Sequence, residues 1–219
     1  VDLREGSNNV TLLRPFGDIG AYYASFGWAA ISGITPDQVP TPDTIWALEG
    51  NETLRPDAPI TLKWTNDIGV QFRRVISVDD DYMFTIEQQV FNNSTNSVDL
   101  RPYGLIRRNG EPKDLKNFFI LHEGLIRMSD GNLSEENYDD IRDYSIDDRE
   151  GTHADRIEVA ENGWIGFTDH FWMTTLVPQS GKGFRSTAKY FETADIYQTE
   201  TVLQRQTVAI GQSASVSTR

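Results

Sequence analysis

Short runs of alternating apolar and polar residues, separated by turns, fill the middle and the end of the chain. Ile60 to Trp64 alternates. Val70 to Val78 places Val70, Phe72, Arg74, Ile76 and Val78 on one face. Tyr82 to Phe91 groups Tyr82, Phe84, Ile86 and Val90 opposite Thr85, Glu87 and Gln89. A period of two marks a strand with one buried face. Asn66 to Gly69, Asp79 to Asp81 and Asn92 to Asn96 interrupt these runs as turns. Further strands are predicted over Val98–Arg108, Phe118–Ile126, Ile157–Val159, Phe184–Phe191, Ile196–Leu203 and Thr207–Ile210, with Ala214–Val216 as a last addition. Turns every ~8–12 residues and many short strands predict an all-β sandwich of two large, mostly antiparallel sheets.

Other stretches lack that period. Val10–Leu13 reads as a short strand ended by Pro15. Tyr22, Tyr23, Phe26 and Trp28 sit in a glycine-containing run read as a loop pinned by aromatic anchors, with an aromatic binding surface as the other reading. Thr35 to Pro59 is proline-rich and aperiodic and reads as a connector held by Trp46. Leu133 to Tyr138 reads as a short helix, with Ser134 as N-cap and acids in the first turn.

Charge changes the picture more than composition does. The 219 residues carry a net charge of −13, from 33 acidic and 20 basic side chains. Such a surface repels phosphate backbones and anionic lipid headgroups, which argues against nucleic-acid partners and direct adsorption to an anionic membrane. Between Asp130 and Glu161 stand twelve acids and three arginines, so −9 of the −13 is concentrated there. A like-charge run of this kind predicts a solvated, mobile excursion, or else a dock for a basic partner. Cysteine is absent, which excludes disulfides and thiolate chemistry. Ile19 to Pro36 is uncharged, but only eleven of its eighteen residues are apolar. A membrane span needs ~20 predominantly apolar residues, so this is none.

The densest aromatic stretch is Gly163 to Pro178, Gly-Trp-Ile-Gly-Phe-Thr-Asp-His-Phe-Trp-Met-Thr-Thr-Leu-Val-Pro. Bulky apolar groups fall on both faces, which predicts strand buried on both sides, with a bend at Thr168-Asp169. This stretch resembles the signature of the large periplasmic domain of the YidC membrane-protein insertases of Gram-negative bacteria. Three further stretches agree, in the same order along the chain. They are Leu62-Lys63-Trp64-Thr65-Asn66 with Gly69 and Phe72, Tyr82-Met83-Phe84-Thr85 with Val90 and Asn92-Asn93-Ser94, and Arg107-Arg108-Asn109-Gly110 leading to His122-Glu123-Gly124.

The resemblance implies a β-supersandwich similar to galactose mutarotase, with one or two short helices. It implies one periplasmic domain over 1–219, shortened at its N-terminus, with the membrane-spanning insertase core elsewhere. It implies a non-enzymatic scaffold, partner-docking or polypeptide-binding module, on the periplasmic side of the inner membrane. Its implied partners are the Sec translocon and nascent membrane proteins, without a small-molecule substrate.

Mutarotase-like sandwiches use histidine and glutamate on sugars, so His122-Glu123 is the foremost candidate pair. Adjacent strand residues point to opposite faces, however, so a structural role is expected for both. Asp79-Asp80-Asp81 lacks the spaced oxygens of a calcium loop, and Asp169-His170 lacks a nucleophile elbow to complete a triad. His122, His153 and His170 have no metal-ligand spacing. Trp164, Phe171 and Trp172 are read as core, with a peptide groove as the alternative. The expectation is therefore no catalytic, cofactor-binding or metal residue, and no assignable substrate-binding residue. An aldose-epimerase-like enzyme or a carbohydrate-binding module on the same fold is the rival.

Overall fold

The computed structural model describes residues 11–112, 115, 122–169 and 172–219. Strand β1 (Tyr22–Ser32) is followed by β2 (Ala47–Arg55), β3 (Ala58–Thr65), β4 (Val70–Val78), β5 (Phe84–Asn92) and β6 (Val98–Asn109). Hairpin β7 (Gly124–Ser129) and β8 (Asn132–Asn137) runs into helix α1 (Tyr138–Arg142). Then come β9 (Ile146–Asp147), β10 (Thr152–Val159), β11 (Gly163–Thr168), β12 (Met173–Leu176) and β13 (Phe184–Phe191). The chain continues through β14 (Ile196–Leu203), β15 (Gln206–Val208) and β16 (Ser213–Thr218).

The strands form three antiparallel sheets. A seven-stranded sheet has the order β1-β6-β14-β13-β10-β9, with β15 beside β6. A five-stranded sheet, β16-β5-β4-β3-β2, and a four-stranded sheet, β12-β11-β7-β8, lie against it. These two smaller sheets are stitched edge to edge. Pro178 bridges Thr218, and Val177 and Arg219 exchange backbone hydrogen bonds of 2.7 and 3.0 Å. The expected two-layer sandwich is therefore present, with its second layer assembled from two sheets.

One face of the seven-stranded sheet carries two separate cores. Trp28, Leu100, Phe184 and Leu203 pack on Val70, Phe72, Val90 and Val216 of the five-stranded sheet. Tyr22, Ile106, Ala188 and Tyr197 pack on Leu125, Ile165, Phe167 and Leu176 of the four-stranded sheet, and on Tyr138 and Ile141 of α1. Burying a side chain such as Phe72 or Phe167 contributes about 1.5–3 kcal/mol. Between the cores runs a row of small or polar residues, Gly104, Thr201 and Ser186, paired directly across β6, β14 and β13. A Cβ at Gly104 would lie 3.4 Å from Leu176, the residue before the stitch. The row thus lies beneath the line where the two smaller sheets meet.

Several expectations need correction. Tyr22 to Trp28 is not a loop but most of β1, paired with β6 from Tyr22↔Arg108 to Ala30↔Leu100. The aperiodic stretch before Pro59 contains β2, an edge strand whose largely exposed side chains have no buried face to reveal it. Ser134 caps no helix. Asn132 to Asn137 pairs with β7 through an Asp130-Gly131 turn, both residues having positive φ (47° and 89°). The helix starts later, capped by Asn137, whose Oδ1 accepts from Asp140 N–H at 3.1 Å while Asp140 Oδ2 accepts from Asn137 N–H at 3.0 Å. The acidic stretch is not an extended excursion but forms β8, α1, β9 and β10, and several of its carboxylates are engaged locally. Asp130 accepts from the amides of Ala160, Glu161 and Asn162 at 2.7–3.0 Å, and Asp147 from those of Arg149 and Glu150. Of the predicted strand Phe118–Ile126, residues 118–121 lie outside the described residues, and β7 begins only at Gly124. Val10 also lies outside them. Thr11 to Leu13 form no strand, and Arg14 makes a single bridge to Tyr22.

Candidate functional site

His122 and Glu123 precede β7 and share no reacting position. His122 Nε2–H donates to the Leu125 carbonyl at 2.6 Å, and Thr168 Oγ1 donates to the His122 carbonyl at 2.9 Å. Glu123 is buried. Gly124 follows with φ +149°, and a Cβ there would sit 2.3 Å from the Glu136 carbonyl. Only glycine lets the chain turn into β7 so close to β8. His153 Nδ1–H donates to the Tyr144 carbonyl at 2.5 Å. His170 and Phe171 lie outside the described residues. Both described imidazoles are thus tied to backbone carbonyls.

Asp169 closes the β11–β12 turn, its N–H donating to the Trp172 carbonyl at 2.8 Å. Its carboxylate takes Arg108 Nη1 at 2.6 Å and Tyr138 Oη at 3.4 Å. The Arg108 guanidinium lies 4.6 Å from the Tyr22 ring centroid, a cation–π contact. Burial, reinforced by the Asp169 charge, pushes the Tyr22 hydroxyl up to about 12. Burial likewise raises Tyr138, so both phenols stay neutral. This is a structural knot under the second core, not an acid–base couple.

Asp79 accepts from the amides of Asp81 and Met83 at 3.0 and 2.8 Å, fixing the β4–β5 turn. Glu150 gathers Lys189 at 2.7 Å and Arg156 at 3.6 Å, and Lys189 also reaches Glu200 at 2.7 Å. Burial raises the Glu150 carboxyl, but Lys189 and the nearby arginines outweigh it and hold Glu150 below its usual value. Arg127, 2% exposed on β7, pairs with Asp155 of β10 and lies 3.6 Å from Glu136. Among the described residues, no group of three or more His, Asp or Glu is placed to hold a metal ion.

A shallow groove of about 180 Å³ runs across the outer face of β4, β5 and β16. Val75, Ser77, Thr85, Glu87, Ser215 and Ser217 line it, with Gln179 at one end. It holds no imidazole and a single carboxylate. Trp164 is half-buried on β11, whereas Trp172 is 39% exposed at the β11–β12 turn. Core packing for Trp172 is therefore a correction: the ring is partly open to solvent beside the turn. No helix among the described residues is long and apolar enough to cross a membrane.

The profile of one protein family, described as the YidC periplasmic domain, matches residues 1–219. The chain belongs to this family. It is 54% identical to a membrane protein insertase YidC of Roseobacter denitrificans over 191 residues, 87% of this chain and 32% of that protein. It is 52% identical to the insertase of a Ruegeria species over 217 residues, 99% of the chain and 36% of that protein. The insertase of Ruegeria pomeroyi matches at 49% over 224 residues, covering 100% and 37%. The chain spans about a third of the length of these curated relatives. The motifs of the YidC periplasmic domain fall at structural junctions here. Gly163 and Gly166 admit close backbone contacts, since a Cβ on either would lie 2.4 Å from the Met128 carbonyl or 2.0 Å from that of Thr174. Asn92 Nδ2 donates to the carbonyls of Asn96 and Val208, both at 2.8 Å. Arg108 ties β6 to the β11–β12 turn through Asp169. These side chains hold the fold together, and their local hydrogen bonds are not visible as a chemical pattern in the sequence.

Proposed function

We propose that this domain is the non-catalytic periplasmic module of a membrane-protein insertase, one sandwich over 1–219 standing on the periplasmic side of the inner membrane. It serves as scaffold, partner dock and transient holder of extended polypeptide for a machine that inserts membrane proteins alone or with the Sec translocon. The observation that carries this reading is the whole-chain match to the YidC periplasmic family, with curated relatives named as insertases. The chemistry of the described side chains supports it. The described imidazoles His122 and His153 donate to backbone carbonyls, and the carboxylates of Asp155 and Glu150 face the guanidinium of Arg127 and the ammonium of Lys189. Such groups position a fold and leave no acid–base pair aimed at a bound molecule.

The test compares the full-length insertase with a version lacking this domain. Both are probed for co-purification of the Sec translocon and for crosslinking to a stalled nascent membrane protein. The expected result is a several-fold loss of one or both contacts on removal of the domain. Turnover of an aldose by the intact protein, abolished by His122→Ala, would overturn the non-catalytic reading.

A further inference from the structure

Where its two cores approach each other, the seven-stranded sheet buries three hydroxyl side chains. Thr201 pairs across the ladder with Ser186 of β13 and Gly104 of β6, and Thr199 follows on the same face of β14. All three hydroxyl residues are 0% exposed. Gln88 of β5 meets this row from the other layer. It is 2% exposed, and its Nε2 donates to the Tyr103 carbonyl, next to Gly104, at 3.2 Å. Among the described residues none makes a hydrogen bond to Ser186 Oγ, Thr199 Oγ1, Thr201 Oγ1 or Gln88 Oε1, and all four atoms are buried.

A hydroxyl has one donor and two acceptor positions, and an amide oxygen has two acceptor positions. Shut away without partners, each such group removes a sizeable part of a marginally stable fold's total stability. Four of them together call for partners that the surrounding protein does not supply. Gly104 has no side chain. The flanking residues of both layers, Ile106, Ala188, Leu176 and Val216, are apolar. The backbone groups of β6, β14 and β13 are committed to their ladders.

The spacing suits water. Directly paired residues have Cβ atoms ~4.5–5.5 Å apart, a gap that one molecule spans with two bonds of ~2.8 Å. An entry stands close by. A recess of about 20 Å³ lies beside Leu203, the next residue after Thr201 on this face of β14. Gln179, Gln204, Gln206 and Ser217 also line it. A water molecule needs at least ~10–15 Å³, so the recess has room for one.

We infer that Ser186, Thr199, Thr201 and Gln88 hold a short file of internal water molecules between the two cores, filled through the recess beside Leu203. The ligand is water because the four groups are uncharged and stand at single-water spacing, and an entry of about 20 Å³ admits nothing larger. These molecules join hydroxyls of the larger sheet to Gln88 of the five-stranded one, so water-mediated bonds link the layers here. The inference stands independently of the insertase reading.

The test is made on the 219-residue chain. Its crystal structure at near-atomic resolution is expected to show ordered water within hydrogen-bond distance of Thr201 Oγ1 and Ser186 Oγ. Oxygen-17 relaxation dispersion then counts the long-lived waters of the parent and of a Thr201→Val/Ser186→Ala variant. The expected result is a smaller count and a lower melting temperature in the variant. Thr201→Ser, which keeps the hydroxyl, is expected to keep the parent's count. A crystal structure in which the two hydroxyls bond only each other overturns the inference. So does an equal count in parent and double variant. A double variant that melts higher also overturns it, since hydroxyls without partners gain from replacement by apolar groups. Should the double variant fail to fold, the parent's crystal structure decides alone.

Discussion

Replacing Asp155 by alanine removes the nearest counter-charge from Arg127, and the consequences run opposite to intuition. Arg127 is 2% exposed on β7, while the Asp155 side chain on β10 is 40% exposed. The pair therefore links the four-stranded sheet to the seven-stranded one. Two unit charges ~3 Å apart attract by about 5 kcal/mol at an effective dielectric constant of ~20. Solvent at Asp155 and the remaining Glu136, 3.6 Å from Arg127, reduce the loss. We expect Asp155→Ala to cost about 2–3 kcal/mol, the lower part of the range for stranding a buried charge. Arg127→Met removes the buried charge instead. Among the described residues Arg127 Nε and Nη1 have no hydrogen-bond partner, and both are buried. Methionine relieves those two groups, while Asp155 turns to water and Glu136 keeps Ser134 and Tyr144. Its expected cost is about 1 kcal/mol or less. Urea unfolding of both variants and the double variant measures the difference. With m of about 2–3 kcal/mol/M, Asp155→Ala lowers the midpoint by ~1 M. The reasoning fails if Arg127→Met proves the more damaging change, or if the double variant is less stable than Asp155→Ala.

Gly166→Ala would place its Cβ 2.0 Å from the Thr174 carbonyl and 2.6 Å from Thr175 Cα, both backbone of β12. A cost of about 3 kcal/mol is expected, a melting temperature lower by roughly 6–12 °C in calorimetry at this chain length. Asn137→Ala removes the helix cap and costs about 1 kcal/mol, whereas Ser134→Ala stays within about 0.5 kcal/mol, as chemical denaturation of both will show. Glu150 has a folded-state pKa below its ordinary 4.5, so its contribution is complete above that value and is lost as pH falls through the lower folded-state value. Glu150→Gln is accordingly less stable than the parent at neutral pH. The gap between their urea midpoints closes as pH drops below 4.5, and a gap that widens there contradicts the assignment.

Side-chain alternation reports which face is dry, and where a strand has one dry face the sequence was readable. Val70–Val78, Phe184–Phe191 and Ile196–Leu203 were predicted with the bounds they have. β2 and β8 are edges with little to bury, so alternation could not reveal them. Asp130-Gly131 is a hairpin dipeptide, but the acids that follow Ser134 imitate the first turn of a helix. β1 escaped for another reason: Gly27 breaks its pattern because a Cβ there would lie 2.5 Å from Tyr103 Oη of β6. That partner is seventy-six positions away (103 − 27) and cannot be inferred locally. At the candidate site, the structural role expected for His122 and Glu123 rests on strand geometry, whereas both residues precede β7 and His122 is held through the Leu125 carbonyl. The stitch between the two smaller sheets is not legible either, since it depends on which strand edges meet in space.

The stitch between Val177 and Arg219 sets how this domain answers to force. The last strand is the shared selvage of both halves of its layer, so tension on Arg219 reaches β12 and β5 together without crossing the larger sheet. Two backbone bonds lie along that line, above hydroxyls and a glycine rather than interlocked rings. That line runs between the two cores, and yielding there would spread them apart without opening either.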